Sequence, residues 1–195
     1  MPTPANPNLL AVDWSRIPAP IDDGAARHLE GVSLPDIALP ATDGSHVSLA
    51  RLASRVVVFA YPRTGEPGKP ALAENWDMIP GARGCTPQAC AFRDLHGELI
   101  AAGARNVFGL STQDTAYQLE AAERLHLPFL LLSDAKLTLT EALRLPTMEV
   151  AGRTLINRLA LIIDDGRIVK VFYPVFPPDK NAAAVHEWLL EHRRQ

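Results

Sequence analysis

An unbroken apolar run, Val56 to Tyr61, stands ahead of a stretch with helical periodicity, about Thr86 to Ala102, and this succession constrains the fold most. A short, continuous apolar run reads as a strand covered on both faces, so the helix after it must supply part of that cover. At about 100° per residue, Cys85, Ala89, Phe92, Leu95 and Leu99 share one stripe. Cys90 falls with Arg93, Asp94 and Gly97. The pattern therefore predicts Cys85 as the inward thiol and Cys90 as the outward one. In an intact helix, residues five apart lie roughly 8–9 Å between Cα atoms and point about 140° away from each other. A disulfide rarely spans more than about 7 Å, so pairing the two sulfurs requires the first turn to unwind. Pro87 permits a loose start there, being accepted in a first turn while offering no amide donor.

Cys85 and Cys90 are the only cysteines, and both fall at a helix opening. Unpaired amides and the helix dipole at that end favour a thiolate, as does a guanidinium nearby; Arg83 is adjacent in sequence. The stretch Gly84 to Asp94 is therefore read as a redox-active pair.

The 195 residues fit one domain, long enough to bury roughly 70% of its unfolded surface. A formal charge of −3 provides no basic field for nucleic acid or an anionic membrane, so neither partner is expected. No eighteen-residue apolar run and no basic-then-apolar leader is visible, which points to the cytoplasm, where a cysteine pair is more plausibly catalytic than structural.

Residues 1–34, rich in proline, alanine and short polar residues, read as an extended arm packed over a domain at 35–195. Ile37 to Gly44 and Val47 to Leu52 suggest an edge hairpin with an Asp-Gly turn. The stretch at about 63–84 is a long loop dense in glycine and proline, and its Trp76, Met78 and Ile79 suggest a lid or contact surface. Asn106 to Ser111 is a further strand, and Thr115 to Leu125 a helix with Leu119, Ala122 and Leu125 inward. Phe129 to Leu132 is a buried strand, Leu137 to Leu143 a short helix, and Asn157 to Phe172 a hairpin turning at Asp164-Asp165-Gly166. The last helix starts from Asp179 as its cap, with Val185, Trp188, Leu189 and His192 on one face. This order indicates an α/β fold whose mixed central sheet carries helices on both faces.

Other motifs are set aside. Gly65 to Pro70 lacks the first glycine and the hydroxyl of a phosphate loop, since Arg63 and Pro70 occupy those places. His186-Glu187 is followed by Leu190 where a second zinc ligand would stand, and the six histidines are scattered. Ser133 to Lys136 reads as a turn after a strand, and Asp164-Asp165 as turn chemistry.

Read as a whole, the chain resembles the peroxiredoxins, most closely the Q-type or bacterioferritin-comigratory-protein group. Gly84-Cys85-Thr86-Pro87-Gln88-Ala89-Cys90-Ala91-Phe92-Arg93-Asp94 looks like that group's cysteine helix. Leu39-Pro40 with Asp43-Gly44, Val56 to Pro62, Gly109 to Thr112, Leu131 to Asp134 and Asn157 to Asp164 follow in the group's order, so the likeness runs from about Leu34 to the C-terminus. The resemblance implies a thioredoxin-like fold of peroxiredoxin type, Cys85 as peroxidatic cysteine, Cys90 as resolving cysteine, and Arg158 as the strand arginine that holds the thiolate. One departure stands out. The family's Pro-x-x-x-Thr/Ser-x-x-Cys pattern places the cysteine seven positions after the proline, whereas Pro62 precedes Cys85 by 23, and Ala82 occupies the hydroxyl position. Thr64 is the candidate to supply that hydroxyl from across the insertion, with Thr86 second.

The implied activity is reduction of hydrogen peroxide or organic hydroperoxides, with no cofactor or metal, and recycling by thioredoxin or a similar dithiol protein. The chain would act as a monomer or homodimer. Two rivals stand beside it: a thiol-disulfide oxidoreductase on the same fold, disfavoured by the lack of C-x-x-C, and a non-catalytic interaction domain presenting the long loop and arm.

Overall fold

The computed structural model describes residues 12–193. Residues 1–11 of the expected arm lie outside the described residues. Five strands form the central sheet: β3 (Arg55–Ala60), β4 (Asn106–Ser111), β5 (Leu131–Ser133), β8 (Leu159–Asp164) and β9 (Arg167–Phe172), in spatial order β5-β4-β3-β8-β9. β3 runs parallel to β4, and β4 parallel to β5, while β8 is antiparallel to both β3 and β9. The sheet is thus mixed, and every residue of β3 is buried.

Alternation along β3 sorts its side chains into two apolar layers. Val56, Val58 and Ala60 join a core containing Leu29 and Leu34 of the N-terminal segment and Leu139 and Leu143 of helix α4 (Thr138–Leu143). Val57, Phe59 and Tyr61 join the opposite layer, with Cys85, Ala89, Cys90 and Phe92 of α1 (Cys85–Asp94), Leu99 of α2 (His96–Ala101), and Ala182, Val185 and Leu189 of α5 (Asn181–Glu191). Helices therefore cover both faces, and both cysteines belong to the second layer. Phe59 anchors it, stacked on Phe92 at 4.3 Å between ring centroids.

The anticipated edge hairpin is present but shorter: β1 (Ala38–Pro40) pairs with β2 (His46–Ser48), and Ala41 bridges to Leu132 at the β5 edge. The β8–β9 hairpin turns through Asp165 and Gly166, both with positive φ, as a tight right-twisted connection requires.

Several expectations are corrected. The helix anticipated as one piece is interrupted at Leu95, where φ −97° and ψ 9° leave helical geometry, with the poor helix former Gly97 close behind. On α3 (Thr115–Arg124), Leu119 is exposed and Gln118 takes the inward position, where its amide nitrogen donates to Ser111 Oγ and the Leu132 carbonyl and so offsets part of the cost of its burial. Asp179 does not cap the last helix. It falls inside a 3₁₀ turn, Pro178–Lys180, opened by Pro178, and α5 starts at Asn181. An unforeseen hairpin, β6 (Thr147–Val150) with β7 (Arg153–Ile156), turns through Ala151 and Gly152, again with positive φ at both. Its turn lacks the Asn-Gly or Asp-Gly signal that makes such hairpins legible.

The segment 63–84 folds back on the molecule. Trp76 and Ala82 pack with Val150 and Leu155 of the β6–β7 hairpin in a third apolar cluster, which brings the end of the insertion onto the start of α1. Met78 remains exposed.

Candidate active site

α1 begins at Gly84, whose φ of +107° suits a residue without Cβ. Space enforces the same choice: a Cβ there would lie 2.6 Å from Pro178 Cγ and 2.8 Å from Trp14 Cη2. Cys85 follows as the first helical residue and is 3% exposed. Its Sγ receives two N–H donors, the Arg63 backbone amide at 3.4 Å and Arg158 Nη2 at 3.3 Å, and lies 3.6 Å from the Ala82 carbonyl oxygen.

Arg158 sits in the link between β7 and β8 and is almost fully buried. Beyond the sulfur, its Nη2 donates to the carbonyls of Gly81, Ala82 and Arg83 at 3.0–3.2 Å, and its Nη1 donates to Gln88 Oε1. The guanidinium thus fastens the end of the insertion, the first turn of α1 and the thiol to one rigid fork, a task suited to several directed donors. Gln88, fully buried, passes the link on, its Nε2 donating to Asn181 Oδ1 at 2.9 Å.

Cys85, Thr64 and Thr86 line one cleft of about 140 Å³. The insertion forms much of its wall through Leu72 and Trp76, and charges at its edge are paired: Lys69 with Glu66 and Arg83 with Asp77. Arg63 stacks over the Tyr117 ring at 4.4 Å. Thr64 is buried, but both its amide and its hydroxyl donate to Gln113 Oε1, at 3.0 and 3.1 Å, so it faces this glutamine rather than the sulfur. Burial pushes the Tyr61 phenol well above its ordinary pKa and so keeps it neutral, an effect that Ser111 and Gln118 counter only in part.

Cys90 departs from expectation. It is 5% exposed, not outward, because α1 is enclosed on several sides: α5 and the 3₁₀ turn before it pack along the helix, and Arg93 Nη1 ties it to the Leu125 carbonyl. Burial pushes the Cys90 thiol up from its ordinary value, with Arg93 opposing. Both cysteines are free thiols.

The structure therefore brings Cys85, Arg158 and Thr64 to one place and leaves Cys90 in the apolar layer on the same helix. Sequence reading missed Gln88, the Arg63 amide and Gln113. Gln88 left a faint signal as a polar residue in the first turn beside the inward cysteine, whereas a backbone amide leaves none. Among the described residues no group of three His, Cys, Asp or Glu is placed to hold a metal ion, and no helix is long and apolar enough to cross a membrane.

Comparison with known proteins bears on the same residues. The Redoxin family model matches residues 29–186. Peroxiredoxin Bcp of Escherichia coli (strain K12) is 34% identical over 163 residues, covering 81% of this chain and 93% of its own. Chloroplastic peroxiredoxin Q of Oryza sativa subsp. japonica is 34% identical over 154 residues, 78% of this chain but 62% of the rice protein. The crystal structure of peroxidoxin BcpB from Mycobacterium tuberculosis superposes with a TM-score of 0.67 at 27% identity, covering 85% of this chain and 98% of that one. With its thioredoxin-like fold and its cysteine at the opening of α1, the chain belongs to the redoxin family, among the peroxiredoxins of the Q and Bcp kind.

Proposed function

We propose that this chain is a thiol-dependent peroxidase that reduces hydrogen peroxide or organic hydroperoxides, with Cys85 as peroxidatic and Cys90 as resolving cysteine. The observation that carries the reading is the Cys85 sulfur at a helix N-terminus in a cleft, with the Arg158 guanidinium at 3.3 Å and the Arg63 amide at 3.4 Å. Directed donors and the helix dipole favour negative charge on that sulfur. The thiolate attacks the terminal peroxide oxygen, the O–O bond breaks, and the alkoxide or hydroxide leaves and takes up a proton, with Cys85 oxidised to a sulfenic acid. Arg158 stabilises the charge that develops on the departing oxygen. Thr64, held by Gln113 in the same cleft, and Thr86 are the hydroxyls available to a bound peroxide.

The Cys90 thiolate next attacks the sulfenic sulfur, expelling hydroxide, which is protonated to water, and leaving a disulfide. A thioredoxin-like dithiol in the cytoplasm returns both cysteines to thiols by exchange. The catalytic domain is residues 35–195, with the arm before it, acting as a monomer or homodimer.

The test is one equivalent of hydrogen peroxide added to the anaerobically reduced protein. Cys85→Ser should abolish rapid consumption, and Cys90→Ser should retain the first turnover while forming no intramolecular disulfide. Consumption by Cys85→Ser at the parent rate would sink the proposal.

A further inference from the structure

The two sulfurs can join only if the first turn of α1 opens, and the structure holds that turn shut from outside the helix. Two segments far apart in sequence meet over Gly84. One is the 3₁₀ turn Trp14–Arg16, its entry capped by Asp13, whose carboxylate accepts from the Ser15 amide. The other is the stretch from Phe176 to Pro178. The Trp14 ring meets Phe176 edge to face at 6.1 Å, and both Trp14 and Pro178 press on Gly84 closely enough to leave no room for a Cβ. Gly84 is also the residue whose carbonyl accepts the first intrahelical bond of α1, from the Gln88 amide at 3.0 Å. Unwinding the turn breaks this bond, and any outward movement of Gly84 that accompanies it has to displace Trp14.

We infer that Trp14 is a positioning residue for the resolving step, a clasp that keeps the first turn of α1 wound and lengthens the life of the Cys85 sulfenic acid. The inference rests on the peroxidase reading above. Trp14 touches neither peroxide nor sulfur; it acts through Gly84. Two steps compete for the sulfenic acid. Cys90 attack forms the disulfide and releases water. A second hydroperoxide instead transfers an oxygen to the sulfenate, giving the sulfinate and an alcohol or water. Opening of the turn gates only the first, so the clasp sets the ratio of the two products. Trp14 lies before residues 29–186, the stretch that the Redoxin family model matches.

The test is rapid-quench mass spectrometry of the reduced full-length protein mixed with a series of hydrogen peroxide concentrations, reading sulfenic, disulfide and sulfinic forms of Cys85. Trp14→Ala should speed disulfide formation roughly tenfold, as loss of one packed aromatic contact implies, and should raise the peroxide concentration needed for half conversion to sulfinate by the same factor. Trp14→Phe should restore both towards the parent values. Phe176→Ala, which leaves Trp14 in place but unbraced, should shift them in the same direction by less, and keeps the test open if Trp14→Ala does not fold. Unchanged or slower resolution in Trp14→Ala and Phe176→Ala, with normal sulfenic acid formation, would overturn the clasp and leave the peroxidase reading intact. Failure of the parent protein to form any sulfenic acid would overturn the peroxidase reading itself.

Discussion

At the scale of the residue, Arg158 has the most to do. One guanidinium nitrogen serves three backbone carbonyls and the Cys85 sulfur, and another serves Gln88. A lysine ammonium offers three donors from a single point and lacks the planar fork, so it can hold some of these groups but not all. Arg158→Lys should therefore lower the second-order rate of peroxide consumption by about a hundredfold, within the range typical for loss of one preorganised charge-stabilising donor, as stopped-flow measurement would show. The sequence located Arg158 only through resemblance, because 73 residues separate it from Cys85 and no local pattern spans that distance.

α1 illustrates what an element adds to its residues. Periodicity placed Cys85 inward correctly and Cys90 outward wrongly, since a helical wheel assumes one buried face and α1 is enclosed by the sheet, α5 and the link to Leu125. The consequence is a pH dependence. The Cys90 thiol is raised by burial, so the folded chain holds its proton at pH values where the unfolded chain has already lost it. Stability from this group is then fully present below the unfolded thiol pKa of about 8.5 and falls as pH rises through the folded value. Denaturant unfolding of the reduced protein between pH 7 and 10 should show a decline that Cys90→Ala lessens. The same direction applies to the turn alone: alkaline conditions favour release of Cys90 and should quicken disulfide formation.

At the scale of the whole molecule, Arg55 ties the central strand to its neighbour and to the C-terminal helix. It makes paired hydrogen bonds to Asp164 at 2.8 Å each and donates to the His192 carbonyl, and both charged side chains are largely shielded from water. Arg55→Met removes this largely buried pair and its bond to the helix end and should lower unfolding stability by about 3 kcal/mol, measured by denaturant titration, since taking away one partner of a shielded ion pair is strongly destabilising. Arg55 lies away from the cleft, so the peroxide rate of the folded fraction should hold. The chain's own order of residues determined the alternation of strands and helices, the two faces of β3 and the cysteine at a helix opening, because apolar periodicity and helix-start chemistry act over a few residues. Only the tertiary structure decided that the insertion walls the cleft, that Gln118 rather than Leu119 turns inward, that Cys90 is buried, and that Trp14 and Pro178 close on Gly84. Those outcomes depend on contacts between segments tens of residues apart, which no local pattern of side chains encodes.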